Sequence, residues 1–253
     1  MKIQYCSDLH LEFAANNQFL KKEPIIPSAE ILLLAGDIVT FASRDRHGYF
    51  FDFLSENFKS VFWLPGNHEY YGSDISARSG SFCEKIRHNV FLLNNQMMMI
   101  GDVNFIFSTL WSFISPINLL VIQQSISDFH HIRYNGGKIT PYYFNQLHQT
   151  CKDFIEASLE NEMDRTKTVV ITHHVPTFLN YPKQYGNNSL NEAFAVELGD
   201  LIEKKGPAFW IYGHHHSHIP PFKIGNTQMI TNQLGYVQYN EHKEFNNRAI
   251  IDL

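Results

Sequence analysis

Five short apolar runs, each stopping at a cluster of metal-type ligands, constrain this chain more than any other feature. Ile3 to Cys6 stops at Ser7-Asp8-Leu9-His10, and Ile31 to Ala35 at Gly36-Asp37. Val61 to Leu64 stops at Pro65-Gly66-Asn67-His68-Glu69, Thr168 to Thr172 at His173-His174, and Phe209 to Tyr212 at Gly213-His214-His215-His216. Runs this short, rich in Ile, Val, Leu and aromatics, read as buried strands. Glycine in three of the clusters permits sharp turns and close backbone approach. Sites in α/β sheets form beyond the carboxyl ends of strands, so strand ends that all carry ligands predict one shared rim.

Helical patterns fill the gaps. Pro141 to Asn161 places Phe144, Leu147, Cys151, Phe154, Ile155 and Leu159 at helical spacing. A second helix is expected from Ser189, with Glu192 completing a capping box, through Leu190, Ala193, Phe194, Leu198, Leu201 and Ile202 to Lys204-Lys205, before Gly206-Pro207. The tail reads as short strands at Gln228 to Thr231, Tyr236 to Gln238 and Arg248 to Asp252. With no repeat or linker, residues 1–253 read as one domain: two packed sheets with helices outside.

The formal net charge of -5 and the lack of a basic run with interleaved aromatics argue against binding long nucleic acid. They leave room for a small phosphorylated substrate, because bound cations supply local positive charge. Cys6, Cys83 and Cys151 are too scattered for a disulfide framework or a thiolate zinc site. The start, MKIQYCSDLHLEF, lacks the apolar core of a signal peptide, so a cytoplasmic location is expected. Val103 to Ser127 is uncharged and long enough to span a bilayer, but its Asn, Gln, Ser and Thr content and Pro116 argue for a strand followed by an apolar loop or short helix.

The clusters carry a coherent chemistry. Asp8 and His10 share a side if the chain is extended, as do His214 and His216, with His215 pointing away. Asp37 follows a fully apolar run, and Asn67 offers a neutral carbonyl beside His68, a residue able to shuttle protons near neutral pH. Neighbours in a strand face opposite ways, so one of His173 and His174 is a ligand and the other lines the pocket or packs. Such a nitrogen-and-oxygen set, without sulfur, suits Mn, Fe, Zn or Ni rather than Ca. It is too large for one transition metal and natural for two if a carboxylate bridges.

The order DxH, GD, GNHE, HH, GHxH resembles the calcineurin-like metallophosphoesterase superfamily, and the blocks run from Asp8 to His216. Thr109-Leu110-Trp111, Ser127 through Arg133, Thr168 through Pro176 and Asn232 through Tyr236 look like one bacterial branch of it. The resemblance implies an α/β (α+β) four-layer sandwich of two mixed β-sheets flanked by helices, the metallo-dependent phosphatase fold. It implies that Asp8, His10 and His216 bind one metal, that Asn67, His173 and His214 bind a second, and that Asp37 bridges. It implies that His68 faces the substrate and stabilises or protonates the leaving oxygen, with Asn67 and His174 also on the substrate side. Gln233 sits where related sequences often carry Arg, which removes a phosphate-clamping cation from the pattern.

The expected function is hydrolysis of a phosphomonoester or phosphodiester by a hydroxide held between two metals. The alternatives are a nuclease or cyclic-nucleotide phosphodiesterase on the same site, or a scaffold that kept the fold and lost the chemistry. The uncharged stretch around Trp111 to Leu120 reads as core, or as an apolar cap that recognises a greasy substrate or partner.

Overall fold

The computed structural model describes residues 1–160 and 164–253. In chain order its strands are β1 (Lys2–Cys6), β2 (Ile31–Ala35), β3 (Ser60–Leu64), β4 (Phe82–Arg87), β5 (Val90–Asn94), β6 (Gln96–Ile100), β7 (Val103–Ser108), β8 (Arg133–Tyr134), β9 (Gly137–Lys138), β10 (Thr168–Thr172), β11 (Phe209–Tyr212), β12 (Phe222–Ile224), β13 (Thr227–Thr231) and β14 (Ile250–Asp252). The helices are α1 (Ala14–Lys22), α2 (Gly48–Asn57), α3 (Leu119–Ser125), α4 (Asp128–His131), α5 (Pro141–Glu160) and α6 (Gly199–Lys205). All five apolar runs are strands. Asn161, the expected end of α5, lies outside the described residues.

Two six-stranded sheets form, in the orders β14-β1-β2-β3-β5-β4 and β12-β13-β11-β10-β7-β6. Each has a parallel centre with an antiparallel strand at both edges, so both are mixed. Side-chain alternation sorts the core into layers. Ile3, Leu33, Phe62 and Leu64 of the first sheet pack against Phe105, Phe107, Val169, Ile171 and Ile211 of the second. Their strand neighbours Leu32, Leu34, Val61 and Trp63 turn outward onto Leu20 of α1 and Phe50, Phe51 and Leu54 of α2. Val170 and Trp210 turn outward onto Ile155 and Leu159 of α5 and Ile202 of α6. The result is a four-layer α/β sandwich whose strand runs are apolar throughout because both faces are covered.

Two local expectations need correction. The helix expected from Ser189 is broken: Ser189–Ala193 is a 3-10 turn and only Gly199–Lys205 is α-helix. Asn188, not Ser189, caps the turn through its contact with Leu190 N. The Glu192 carboxylate bonds Ser115 instead of closing a capping box, and Ala195 pairs with Val175, which pulls the chain off the helical path. The α6 end does come at Gly206, in left-handed conformation. In the tail, Val237–Tyr239 is a 3-10 turn rather than a strand, while β13 and β14 form as expected.

The uncharged stretch divides as strand, loop and short helix. Trp111, Ile114 and Ile122 are buried in a cluster beyond the strand ends with Tyr70, Phe129 and Phe144. Phe113, Ile117 and Leu120 are exposed. No helix among the described residues is long and apolar enough to cross a membrane.

Phe62 stands at the seam of the two sheets, with ring centroids 5.9 Å from Phe91 and 5.6 Å from Phe107. Phe62→Ala is expected to lower unfolding free energy by about 3–5 kcal/mol, read from urea melts. A loss below about 1 kcal/mol would show that the seam closes over the void.

Candidate metal centre

The carboxyl ends of β1, β2, β3, β10 and β11 meet at one rim, and two groups of ligand-type side chains assemble there. Asp8, His10, Asp37 and His216 form one, and Asp37, His173 and His214 the other, with ligand atoms in each within 4.8 Å of one another. Asp37 belongs to both: its Oδ2 is 3.8 Å from His10 Nε2 and 3.4 Å from His173 Nε2. Asn67 Oδ1 lies 3.1 Å from His173 Nε2, which adds it to the second group. All seven side chains expected to hold metal are thus gathered in one place, six of them buried and His216 nearly so.

The local backbone departs from what an extended reading predicts. Asp8, His10, Asp37, His214 and His216 all have positive φ, between 47° and 83°. Non-glycine residues in this region are strained, by an amount on the order of 1 kcal/mol or more each. Asp8 and His10 therefore converge by kinks rather than by alternation, as do His214 and His216. His215 follows the same kinks onto the wall of the cleft, where Gln233 Nε2 meets its Nδ1 at 3.1 Å. Close approach also needs missing side chains. A Cβ on Gly66 would stand 2.6 Å from the His173 ring, and Gly36, at φ +90°, backs directly onto the same ring.

The donor set fits cations on a hydrogen-bond argument. His10 Nδ1 faces Glu12 Oε1 at 3.2 Å and His216 Nδ1 faces Glu241 Oε2 at 2.9 Å, so each ring gives its Nδ1 proton to a carboxylate. Their Nε2 atoms face each other at 2.9 Å. His173 Nδ1 donates to the Ala35 carbonyl, and its Nε2 stands 3.0 Å from His214 Nδ1. Two nitrogens this close share either a proton, which burial opposes but nearby carboxylates favour by raising the pKa of His216 and His173, or a cation that takes its place. Neighbouring ligands about 2.1 Å from one ion stand about 3 Å apart, which matches. Carboxylates behind the ligand histidines fix tautomer and orientation.

Electrostatics agree. Burial opposes charge on Asp37, but His173, His68 and His10 outweigh it and hold its carboxyl well below the usual range. Burial likewise opposes charge on Glu12, and hydrogen bonds from His10 and His68 bring it down to about 2. Burial opposes a proton on His68, but Asp37 and Glu12 outweigh it and raise its pKa.

His68 sits at the mouth. Its Nδ1 faces Glu12 Oε1 at 3.2 Å, its Nε2 faces the Tyr236 hydroxyl at 3.2 Å, and its ring stacks on Tyr71 at 4.1 Å. His174 does not share this exposure. The sequence placed it on the substrate side, but it is fully buried behind His214, its ring 4.3 Å from that of His214 and 5.1 Å from that of Trp111. The reason is strand alternation: His173 turns to the rim and His174 away from it.

Four functional positions escaped the sequence reading. Glu12, two residues beyond His10, lies in the turn that follows the first block. Tyr236 lies in a family-like stretch but carries no ligand signature. Asp128 accepts from Asn67 Nδ2 at 2.8 Å and Tyr71 at 2.7 Å, which turns the Asn67 oxygen toward His173. Glu69, in the third block, is fully buried and accepts from Asp37 N, Ile38 N, Gly66 N and Trp63 Nε1 at 2.7–2.9 Å.

The groups open on a cleft of about 440 Å³ walled by Tyr71, Ser127, Tyr181, Tyr185, Phe194 and Tyr236, among others. Ser125 and Ile126, at the end of the uncharged stretch, reach the same wall.

Residues 1–218 match the calcineurin-like phosphoesterase family. The chain is 32% identical to an uncharacterised protein of Acanthamoeba polyphaga mimivirus over 279 residues, 99% of this chain and 96% of the viral one. It shares its fold with phosphopantetheinyl hydrolase from Mycobacterium tuberculosis, with a TM-score of 0.68 at 18% identity over 96% of this chain and 92% of that one.

Glu69→Gln turns one oxygen that accepts two N–H groups into a donor. The variant is expected to lose about 2–4 kcal/mol in urea melts run with chelator, and to retain less metal after dialysis. Unchanged stability and metal content would remove Glu69 from the framework of the site.

Proposed function

The chain belongs to the calcineurin-like phosphoesterase family, and on that premise we propose that it is a hydrolase of phosphate esters working at two transition-metal ions. Asp8, His10, Asp37 and His216 would hold one ion and Asp37, Asn67, His173 and His214 the other. The observation that carries this reading is Asp37 Oδ2, placed between His10 Nε2 and His173 Nε2 and so common to both groups. When bound, such ions act as Lewis acids and lower the pKa of water enough to make a nucleophile available near neutral pH. Mn, Fe, Zn and Ni all suit the donors.

The chain's own residues supply the rest. His68 turns Nε2 to the cleft while Glu12 accepts from Nδ1, which supports a proton held at Nε2 for the leaving oxygen. Tyr236 fixes that nitrogen from the cleft side, and stacking on Tyr71 holds the ring plane. Asp128 orients Asn67, and Glu241 orients His216. No Ser or Cys nucleophile is required, because phosphoryl transfer is largely positioning and charge stabilisation.

His68→Ala is expected to cut turnover about 10²-fold or more while metal content, read by plasma mass spectrometry, stays near that of the parent chain. Full activity in that variant would exclude the leaving-oxygen role. Glu12→Gln is expected to lower kcat by about tenfold with KM little changed, as suits a residue that acts through His68. A KM effect alone would place Glu12 outside this role.

A further inference from the structure

Two concavities, not one, meet at the ligand groups. The cleft of about 440 Å³ holds His68 and His214 in its wall. A more open groove of about 790 Å³ runs from the same place past Ser217, Pro221 and Tyr239. Tyr181, His216 and Glu241 line both, so His216 stands at the junction. A group bound at the junction can send one arm into each.

The charge on these walls selects further. Among the described residues no Lys or Arg lines the cleft, while Asp128 and Glu241 do. Gln233 is uncharged and spent internally: its Oε1 accepts from His216 N at 2.6 Å and its Nε2 meets Thr231 Oγ1 at 2.7 Å. Among the described residues Lys183 is the one Lys or Arg on the groove, and it is exposed. A phosphomonoester brings a dianion near neutral pH, which side-chain cations beside the metals help to hold. A phosphodiester brings one negative charge and two organic arms.

We propose, resting on the phosphoesterase reading above, that the substrate is a phosphodiester whose leaving arm is neutral, with aromatic or amide groups, and seats in the cleft, while its second arm follows the groove. The cleft walls match such an arm: Tyr181, Tyr185 and Tyr236 line it with aromatic surface, and Asn188 Nδ2 and Asn191 Oδ1 are the amide atoms that their turn contacts leave over. In the reaction one P–O bond forms to water and the P–O bond to the leaving arm breaks with its electron pair. The leaving oxygen takes a proton from His68, which is restored from the water consumed. The products are an alcohol and a phosphomonoester, which releases the second water proton to solvent to become a dianion that these walls hold less well than the substrate.

The test compares bis(p-nitrophenyl) phosphate with p-nitrophenyl phosphate, which release the same chromophore, on the full chain loaded with Mn. The diester is expected to have a kcat/KM at least about tenfold higher. Ser127 lies on the cleft wall with an exposed side chain that caps nothing. Ser127→Arg supplies the missing cation there and is expected to shrink the ratio at least about fivefold. A parent chain that prefers the monoester, or treats the two alike, overturns the diester assignment and leaves the phosphoesterase reading standing. A ratio unmoved in folded Ser127→Arg overturns the charge argument behind it. No turnover of either ester by the metal-loaded chain overturns both readings at once.

Discussion

One buried carboxylate holds the frame on which the site is built. Glu69 gathers N–H groups from the turn after β2 and the turn after β3, together with the Trp63 indole. Those turns carry Asp37 and Asn67. Without a shared acceptor, four donors in a dry interior would each lack a partner, and the turns would have no common reference point. The second sheet is tied to the first in similar fashion. Ser7 pairs with Gln233, and the Asn232 side chain donates to the carbonyls of Tyr5 and Asn246. Rigid strands underneath and backbone stitching above together bring residues 206 positions apart, Asp8 and His214, into hydrogen-bond contact.

Strain is concentrated at this rim. Five positions of the candidate metal set adopt left-handed backbone, and imidazole nitrogens face each other at 2.9–3.0 Å. A protein interior tolerates such an arrangement where the surrounding structure over-determines it. Here the supports are visible: Glu12 and Glu241 behind His10 and His216, the Ala35 carbonyl behind His173, and Asp128 behind Asn67. The rim is arranged for cations, and its preorganisation lies in the neutral and anionic groups one step back from the ligands.

Legibility in the sequence followed the range of the interactions. The strands were readable because burial on both faces leaves continuous apolar runs, as in Ile31-Leu32-Leu33-Leu34-Ala35. The candidate metal-binding residues were readable because they cluster at the ends of those runs, and α5 because its apolar spacing is long and regular. The break between Ser189 and Gly199 was not readable, since Ala195 leaves the helix to pair with Val175 and Glu192 leaves it to reach Ser115. Asp128 gave no signal as a partner of Asn67, 61 positions away. The kinks at His214 and His216 were hidden because positive φ is uncommon for any non-glycine residue, and even the enrichment of histidine there is too weak to mark a given position.

The wide separation of the ligands in the chain has a consequence for how the protein is made. Asp8, His10 and Asp37 leave the ribosome more than 170 residues ahead of His214 and His216, if residue numbers are taken as the order of synthesis. On the two-metal reading, neither half-site would be complete until β11 emerges. Tight capture would then belong to the folded polypeptide, after both sheets have docked, and the choice of metal to what surrounds the finished molecule rather than the early fragment.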